Sequence, residues 1–482
     1  MPVTPLKLSP EAAHEELAAR LAALPAALEL VREFPTEVVA ETAAVVAEQP
    51  LPAADRTDIE FVTIDPPGAT DLDQAFQIER DGDGWLVRYA IADVPAFVEP
   101  GGAIDAEART RGQTIYAADG RIPLHPVEIS EQAASLLPDR VRGAYIWEHR
   151  LDPRGEVTAS SVGRARIRSR RQLDYPGAHA DLAAGRGPDI DLLRMLRDVG
   201  QARIALETER GGASLPTPEI LVSMTDGGYR LTRREPLPVE AWNAQLSLLT
   251  GMAAAAMMLE GGSGILRTMP PAEPEAIARF RRQTRALGHP WPQTQRYGDY
   301  LRELDVADPQ HLAILHAAAS LFRGAGYTVF DGTTPDETTQ AAVGAPYAHV
   351  TAPLRRLVDR FALAICAAHS AQEAPPDWAL AALPQLPKAM ARSNNVANRL
   401  DRMALDAVEA ALMAPRIGEE FDAVVLSAGG MSGSRKNDGG TVQLADPAVE
   451  GVCDGHLEPG TDVRVRLEEA DITAGTVRFS VV

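Results

Sequence analysis

The sequence predicts a multidomain α+β protein with a small helical N-terminal module, a large central domain of mixed antiparallel sheet and helix, and a C-terminal five-stranded barrel of the OB type. Two observations predict this class. Strand-like alternation begins after a helical first segment, and it returns in the tail as short apolar runs between Gly, Asp and Ser turns. A long helical stretch separates the two strand-rich regions. We therefore place the domains at residues 1–50, 51–413 and 414–482.

Composition places the chain among ordinary globular proteins. Of its 482 residues, 45% are hydrophobic and 24% are charged, and the net charge of −20 disfavours nucleic acid as a partner unless there is a local basic channel. Cys366 and Cys453 indicate neither a disulfide framework nor a zinc site. No signal-peptide pattern or membrane-length apolar run is present, so we expect a cytoplasmic protein with no membrane partner.

The first 50 residues predict three short helices. Ser9-Pro10-Glu11 resembles a helix start, Leu17 and Leu21 follow at helical spacing, and Pro25 ends or kinks this helix. A second helix follows, and Pro35 begins a third. Such a module is either a helix-turn-helix-like contact for nucleic acid or a packing element for the next domain.

An acidic loop between two predicted strands is the main candidate site. The apolar run 61–64 predicts a strand, Pro66-Pro67-Gly68 ends it, and a hairpin is predicted over residues 74–92. The loop carries Asp65, Asp71, Asp73 and Gln74. Because hard cations such as Mg²⁺ prefer carboxylate oxygens, the loop predicts a metal site. Turn formation or helix capping is the alternative role for these aspartates.

Two segments downstream have residues typical of nucleic-acid contacts. Tyr116 lies in a loop among Arg and Gly, where a base could stack on it, although a half-buried core position is the alternative. Five arginines form the densest basic cluster of the chain: Arg164, Arg166, Arg168, Arg170 and Arg171. Within residues 162–167 the arginines alternate with small or apolar residues, which places several on one strand face. That face is either a solvated surface or a phosphate-tracking groove.

Arg355 and Arg356 lie in the helical part of the chain, two and three residues after Pro353 at a predicted helix start. The N-terminus of a helix already carries positive partial charge, so cations there cost stability unless an anion is bound. This position favours a functional role for Arg355. Farther along, the five short apolar runs of the tail predict a barrel of a type that commonly binds single strands.

Together these motifs resemble the ribonuclease II / RNase R (RNB) family of 3′→5′ exoribonucleases over residues 55–482. TIDPPGATDLDQAF, from Thr63, is similar to the family's acidic signature. The later blocks follow in family order: the segment from Tyr89, IRSRRQLDY from Ile167, RGGASLPTPE from Arg210 and YAHVTAPLRR from Tyr347. The tail takes the place of the family's C-terminal OB-fold RNA-binding domain, whereas residues 1–50 leave no room for the family's cold-shock domains.

The resemblance implies roles for residues of this chain, position by position. It implies metal ligation by Asp65, Asp71, Asp73 and Gln74. It implies catalytic roles for Asp73, Asp71 and Arg355, stacking of the 3′-terminal base on Tyr116, and a place for Tyr175 near the RNA path. The expected RNA-binding set is Tyr116, Tyr175, Arg111, Arg168, Arg170 and Arg356.

The chain departs from the family pattern at several positions. Gln74 stands where the family has a fourth Asp. An amide oxygen can ligate a metal or hold a metal-bound water, but it carries no charge and cannot act as a base, so the number of metals is open. Ala352 replaces a usual Ser, Leu357 replaces Tyr, and Ala244-Gln245 replaces a common Glu pair.

We therefore expect an exoribonuclease dependent on Mg²⁺, with Mn²⁺ as the alternative, that processively hydrolyses single-stranded RNA from a free 3′ end to nucleoside 5′-monophosphates as a monomer. Two alternatives stay open. A chain with a decayed site would bind RNA without cleaving it. A D-x-D phosphatase, suggested by Asp71-Leu72-Asp73, would need that pair after a parallel strand of a βαβ unit, which the predicted hairpin does not provide.

Overall fold

The computed structural model describes residues 4–5, 11–118, 120–213, 219–225, 228–234, 236–306, 308–428, 438–444, 447 and 449–482. Half of the RGGASLPTPE motif, residues 214–218, lies outside these ranges. The helices are α1 (Glu11–Ala27), α2 (Thr36–Glu48), α3 (Ala103–Arg111), α4 (Tyr175–Ala184), α5 (Ile190–Arg210), α6 (Pro238–Gly261), α7 (Pro274–Ala286), α8 (Tyr297–Arg302), α9 (Pro309–Ala318), α10 (Leu357–Ser370), α11 (Asp377–Ala382) and α12 (Leu386–Met413).

The strands alternate with these helices along the chain. They are β1 (Thr4–Pro5), β2 (Phe61–Asp65), β3 (Gln74–Asp81), β4 (Gly84–Ala92), β5 (Ile115–Ala117), β6 (Gly120–Ile122), β7 (Val141–Leu151), β8 (Val157–Asp174), β9 (Glu219–Thr225), β10 (Gly228–Arg234), β11 (Ser263–Thr268), β12 (Gly326–Asp331), β13 (Thr339–Gln340), β14 (Ala345–Pro346), β15 (Glu420–Ala428), β16 (Asp438–Leu444), β17 (Glu450–His456), β18 (Asp462–Asp471) and β19 (Thr476–Val481). None of the described helices is long and apolar enough to cross a membrane.

Five strands of the central domain close into a barrel in the order β2-β3-β4-β7-β8. Strand β3 pairs antiparallel with β4, β4 with β7, and β7 with β8. Strand β2 closes the barrel by pairing parallel with β8. Tyr89 on β4 and Trp147 on β7 are buried in the core that the barrel shares with the surrounding helices. The predicted mixed α+β class is confirmed. Local sequence patterns did not predict the closure of the barrel, because the two strands that close it, β2 and β8, are distant in sequence.

The last five strands form a second closed barrel in the order β15-β16-β17-β19-β18. Strands β17 and β19 pair parallel, and their neighbours pair antiparallel. Alternate side chains point inward, and Cys453, Val465, Leu467 and Phe479 are fully buried. The predicted five-stranded OB-type barrel is therefore confirmed.

Two described helices, α1 and α2, occupy the first 50 residues instead of the predicted three. α1 continues past Pro25 to Ala27. Glu29 then adopts a left-handed backbone with φ of 56°, which ends the helix before the predicted second one can form. Leu17 and Leu21 of α1 join α12 and the C-terminal barrel in one apolar core, so this helix has a packing role.

The acidic loop lies between β2 and β3 and is fixed from the side by the segment before β7. The backbone N–H of Leu72 donates to Oγ of Ser135 at 3.0 Å, and that hydroxyl donates to the carbonyl oxygen of Thr70 at 2.7 Å. Leu72 is itself fully buried. The loop therefore presents its acidic side chains from a rigid backbone.

Candidate active site

Asp73 is the most buried carboxylate of the acidic loop, with 4% of the residue exposed. Its Oδ1 atom accepts a hydrogen bond from the backbone N–H of Leu354 at 2.8 Å. Its Oδ2 atom lies 3.6 Å from Nε of Arg355. The acidic loop and the YAHVTAPLRR segment, which are far apart in the sequence, therefore meet at Asp73.

The carboxyl groups of the loop influence one another. Burial raises the pKa of Asp65 to about 7, the negative charge of Asp71 adds to this rise, and Arg355 opposes it. Burial also raises the pKa of Asp73 well above its usual value, against the opposing effects of Arg355 and the Leu354 N–H. Asp65, Asp71 and Asp73 thus form one coupled cluster that a nearby cation would stabilise in its ionised form.

Asp71 is held by Arg121, to which the sequence analysis gave no role, and lies close to the hydroxyl of Tyr116. Its Oδ1 atom accepts a hydrogen bond from Nη1 of Arg121 at 2.8 Å, and the Tyr116 hydroxyl lies 3.4 Å from its Oδ2 atom. Arg121 also pairs with Glu131 at 2.5 Å and donates to the hydroxyl of Thr70 at 2.8 Å. Tyr116 and Arg121 face each other across the β5–β6 hairpin, a register that the sequence pattern did not show.

Arg355 and Arg356 differ in how closely their guanidinium groups are paired with carboxylates of the protein. The side chain of Arg355 is 45% exposed and faces Asp73. Arg356 instead donates to both carboxylate oxygens of Asp359, at 3.0 and 2.9 Å. Asp359 lies in the first turn of α10 and supplies the negative charge that a helix start favours. Arg355 therefore keeps donors for a ligand, whereas Arg356, assigned to RNA binding from sequence, is engaged within the protein.

Tyr116 lies between two neighbouring cavities and is 51% exposed. One cavity, of about 210 Å³, has Tyr116, Arg355 and Asp401 in its wall. The other, of about 340 Å³, is largely apolar and lies between α1, β5 and α12, with Leu24 and Leu405 in its wall. An exposed aromatic face between two hollows suits the stacking of a base.

Asp401 lines both cavities, and burial raises its pKa. The sequence analysis gave it no role because a single Asp in an amphipathic helix has no distinguishing pattern. On the other side of the cluster, Tyr175 accepts a hydrogen bond from Nδ2 of Asn243 at 3.2 Å. Burial raises the pKa of Tyr175 to about 12, and the nearby Asp65 contributes to the rise, so Tyr175 lies within electrostatic reach of the acidic cluster.

Arg111, predicted to bind RNA, is engaged elsewhere in the structure. Its side chain is 8% exposed and pairs with Glu107 at 2.8 Å. Its guanidinium also donates to the carbonyl oxygens of Pro123 and Glu33 and lies 3.9 Å from the centre of the Phe34 ring. These contacts attach α3 to the segment after α1, and they leave Arg111 with a structural role.

Arg168 and Arg170 lie near the far end of the ladder between β2 and β8. Phe61, the first residue of β2, pairs with Ser169, whereas Asp65 pairs with Asp174, roughly 13 Å farther along by strand rise. Arg170 donates to the backbone carbonyl of Thr57 at 2.7 Å. The other members of the cluster form ion pairs: Arg164 with Asp93, Arg166 with Asp55 and Arg171 with Asp189. The cluster therefore anchors β8 to its neighbours.

The carboxylates of the acidic loop fit a hard divalent cation whose coordination shell is completed by water and substrate oxygens. Among the described residues, no three His, Cys, Asp or Glu side chains converge into a ready metal cage. Mg²⁺ and Mn²⁺, however, are commonly held by a few carboxylates while water and substrate oxygens complete the shell. The raised pKa of the buried Asp65 and Asp73 shows two carboxyl groups whose charge is only partly compensated. Asp65, Asp71 and Asp73 would hold such an ion.

Two family models match the sequence on either side of α12. The RNB domain matches residues 54–369, which contain the central barrel, the acidic loop and Arg355. The chain belongs to the RNB family. The RNase II-type exonuclease C-terminal S1 domain matches residues 419–482, the five-stranded barrel. The family resemblance inferred from the motifs is thereby confirmed.

Relatives within the RNB family are considerably longer than this chain. Ribonuclease R of Aquifex aeolicus is 24% identical over 422 residues, which cover 82% of this chain and 58% of that protein. The probable exosome complex exonuclease RRP44 of Caenorhabditis elegans is 27% identical over 330 residues, covering 64% of this chain and 34% of that protein. The chain thus spans less than two thirds of the length of these curated relatives.

Solved structures share the fold at low sequence identity. Mycoplasma genitalium RNase R in complex with ribose methylated single-stranded RNA has a TM-score of 0.84 and 17% identity, covering 97% of this chain and 78% of that one. Yeast Ssd1, a pseudonuclease, has a TM-score of 0.64 and 16% identity, covering 84% and 52%. Because this fold is also found in a pseudonuclease, catalysis by an RNB-family chain has to be argued from its site residues.

Proposed function

We propose that this protein is a 3′→5′ exoribonuclease that hydrolyses single-stranded RNA from a free 3′ end and releases nucleoside 5′-monophosphates. The observation that carries the proposal is the meeting of Asp73 with Arg355 beside Tyr116. An acidic cluster, a partly exposed arginine and a stacking surface lie together there. Relatives named ribonuclease R and exosome exonuclease support the same reaction class.

The cavities suggest how the RNA end is held. Tyr116 would stack on the 3′-terminal base, and the cavity of about 210 Å³ that it shares with Arg355 would receive the terminal nucleotide. Tyr175 would border the RNA path on the side of Asp65. The Mycoplasma RNase R complex contains single-stranded RNA on the same fold, which supports RNA as the ligand.

The acidic cluster and Arg355 would carry the chemistry. When bound by Asp65, Asp71 and Asp73, Mg²⁺, or alternatively Mn²⁺, would activate water and stabilise the leaving 3′-oxygen. Arg355 would donate N–H groups to the phosphoryl oxygens as negative charge accumulates on them. The bond from Leu354 to Asp73 keeps the carboxylate and the arginine in a fixed relation during this process.

We further propose that degradation is processive and that the enzyme acts as a cytoplasmic monomer. The two adjoining cavities offer places for consecutive bases on both sides of Tyr116, so the strand can stay bound while the terminal nucleotide leaves. Both cysteines are free and buried, in keeping with a reducing compartment. Sedimentation velocity tests the monomeric state.

The second candidate function is RNA binding without cleavage. It is favoured by Gln74, which replaces a family Asp, and by the pseudonuclease that shares the fold. The retention of three aspartates and Arg355 at one place favours the enzyme. The D-x-D phosphatase alternative has no structural support, because Asp71 and Asp73 lead into the antiparallel β3–β4 hairpin rather than into a βαβ unit.

Product analysis distinguishes these functions. Uniformly labelled single-stranded RNA is incubated with the protein and Mg²⁺, and the products are separated by size and by charge. Nucleoside 5′-monophosphates that appear while the 5′ end of the strand persists support the exoribonuclease. RNA that stays intact but bound supports the second candidate. Internal fragments without mononucleotides would contradict cleavage from the 3′ end.

A further inference from the structure

Gln74 is bonded at both ends of its side-chain amide. Its Nε2 atom donates to the backbone carbonyl oxygen of Thr351 at 2.5 Å. Its Oε1 atom accepts from the hydroxyl of Tyr89 at 3.0 Å. The Tyr89 hydroxyl also lies 2.9 Å from Oγ of Ser247. Gln74 thus occupies the centre of a polar chain that connects three parts of the central domain.

The direction of every bond in this chain follows from the donor chemistry. A backbone carbonyl can only accept, so the nitrogen of Gln74 faces Thr351 and its oxygen faces Tyr89. Tyr89 has one hydroxyl proton and donates it to Gln74, so Ser247 donates to Tyr89. Ser247 on α6, Tyr89 on β4 and Gln74 on β3 therefore each donate to the next member, and the chain ends at Thr351.

We propose that Gln74 is a positioning residue that holds the segment 351–355 against the acidic loop, and that it is not a ligand of the metal. This inference rests on the proposed nuclease function. The bond from Gln74 to Thr351 lies beside the bond from Leu354 to Asp73. Asp73 and Gln74, which are adjacent in the acidic loop, thus both hydrogen-bond to the backbone immediately before Arg355.

An acid at position 74 could not make the same bond at neutral pH. A carboxylate has no hydrogen to donate, so it would place a negative oxygen against the carbonyl of Thr351. It would also add negative charge next to Asp73, which is buried. The amide of Gln74 can therefore bond the acidic loop to the segment 351–355, whereas a carboxylate at this position could ligate a metal but could not make this bond.

Two variants separate positioning from metal ligation. Gln74→Met has a similar size but can neither donate to Thr351 nor ligate Mg²⁺ as an amide does, and Gln74→Glu restores an acid while removing the donor. Gln201→Glu, at an exposed position on α5, adds the same charge elsewhere and is the control. For each protein, calorimetry measures Mg²⁺ binding without RNA, thermal unfolding is followed in EDTA at pH 7.5 and pH 5, and kcat and KM are measured on labelled RNA.

We expect Gln74→Met to bind Mg²⁺ within about threefold of wild type while kcat falls at least about tenfold, since a small misplacement of Arg355 is enough for such a loss. Gln74→Glu should unfold several degrees below wild type at pH 7.5, because it lacks the bond to Thr351. The difference should narrow at pH 5, where a larger fraction of the introduced acid is protonated and can donate to the carbonyl oxygen. Gln201→Glu should match wild type throughout.

Other outcomes would overturn the proposal. A tenfold loss of Mg²⁺ affinity in Gln74→Met would make Gln74 a ligand. An additional equivalent of Mg²⁺ together with faster hydrolysis in Gln74→Glu would make position 74 a metal position that the amide leaves weak. If wild type does not hydrolyse RNA at all, the proposed function fails, whereas the metal-binding and unfolding results still decide the role of Gln74.

Discussion

Arg355 and Tyr116 are partly exposed side chains next to the acidic loop, so they are the residues that the RNA end would meet in the proposed function. Arg355 lies 3.6 Å from Asp73, farther than the 2.8 Å that separates Arg121 from Asp71. A loosely paired guanidinium can turn its donors to a phosphate at little cost. Arg121 and Arg356, in contrast, would have to break close ion pairs first.

Replacement of Arg355 tests its role in stabilising charge. We expect Arg355→Ala to lower kcat by about 100-fold or more, the loss typical when a preorganised donor is removed, with KM changed by less than about threefold. Arg355→Lys should retain only part of the rate, since an ammonium cannot reproduce the guanidinium fork. Steady-state kinetics on labelled RNA measures both. Unchanged kcat in Arg355→Ala would exclude the assigned role.

Tyr116 can be tested through binding alone. Tyr116→Ala should weaken binding of a short single-stranded RNA by about 1–3 kcal/mol, because the stacking surface is lost. Tyr116→Phe should bind within about threefold of wild type, since the hydroxyl contact to Asp71, at 3.4 Å, is long for a hydrogen bond. Fluorescence anisotropy in EDTA measures both affinities without turnover. Equal affinity of all three proteins would show that the base stacks elsewhere.

The arginines show where sequence patterns are insufficient at the scale of single residues. The sequence correctly indicated that Arg355 lies at a helix start. Because a positive charge at the N-terminus of a helix destabilises the helix, this position by itself favoured a functional role for Arg355. The sequence analysis assigned Arg111 and Arg168 to RNA binding together with Tyr116. The sequence shows how many arginines a segment contains, but it does not show which carboxylates or carbonyl oxygens they contact. Asp55, Asp93 and Asp189, which neutralise the basic cluster, are distant in sequence and become neighbours only after the barrel closes.

At the scale of elements, α12 connects the parts of the protein. It packs against α1, contributes Asp401 and Leu405 to the cavities beside Tyr116, and shares an apolar core with the C-terminal barrel. This core continues across the predicted boundary at residue 413. The boundary follows a change of secondary structure, which the sequence shows, whereas the packing depends on which helix faces which strand.

The contact between α12 and the C-terminal barrel contains a carboxyl group with a strongly shifted pKa. Burial raises the pKa of Glu409 to about 8, and the nearby Asp406 and Glu450 add to the rise. The unfolded chain releases this proton near pH 4.5, whereas the folded protein keeps it to about pH 8. The stabilisation from Glu409 is therefore fully present below about pH 4.5 and is lost as the pH rises towards 8.

Glu409→Gln should remove this pH dependence. A neutral amide has no proton to lose, so we expect the variant to unfold at a higher temperature than wild type above about pH 6, with a difference that grows up to about pH 8. Glu458→Gln, at an exposed position of the same barrel, is the control. Scanning fluorimetry from pH 5 to 9 gives the comparison. A difference that is constant over this range would contradict the assigned shift.

Patterns of neighbouring residues accounted for the β3–β4 hairpin, the acidic loop and the C-terminal strands. They did not account for the parallel pairing of β2 with β8, which closes the central barrel, or for the left-handed Glu29 that removes a predicted helix. The acidic loop could be located because its proline break and aspartates are contiguous. Arg121 and the Tyr89–Gln74–Thr351 chain could not, since they depend on strand register.

For the whole molecule, the net charge of −20 and the extensive pairing of its arginines limit the contact with phosphates. Many described arginines near the site, such as Arg111, Arg121 and Arg356, are already bound to carboxylates. Affinity for RNA should therefore rely on stacking more than on counterion release.

This charge distribution predicts a shallow salt dependence of RNA binding. Each phosphate neutralised on a single strand contributes about −0.7 to the slope of log affinity against log salt, so we expect a slope no steeper than about −3. Anisotropy titrations from low to moderate salt, in EDTA, give this slope. A slope steeper than about −5 would point to a basic path that the ion pairs seen here do not suggest.

Asp73→Asn tests most directly whether the acidic loop is the centre of an RNA 3′-end hydrolase. The amide oxygen can still accept the Leu354 N–H, so the fold should persist, but the charge that faces Arg355 and would bind the metal is gone. We expect release of 5′-monophosphates from a tailed RNA to fall at least about 100-fold, with RNA affinity within about threefold of wild type. Degradation of that RNA at the wild-type rate would contradict the assignment of the site.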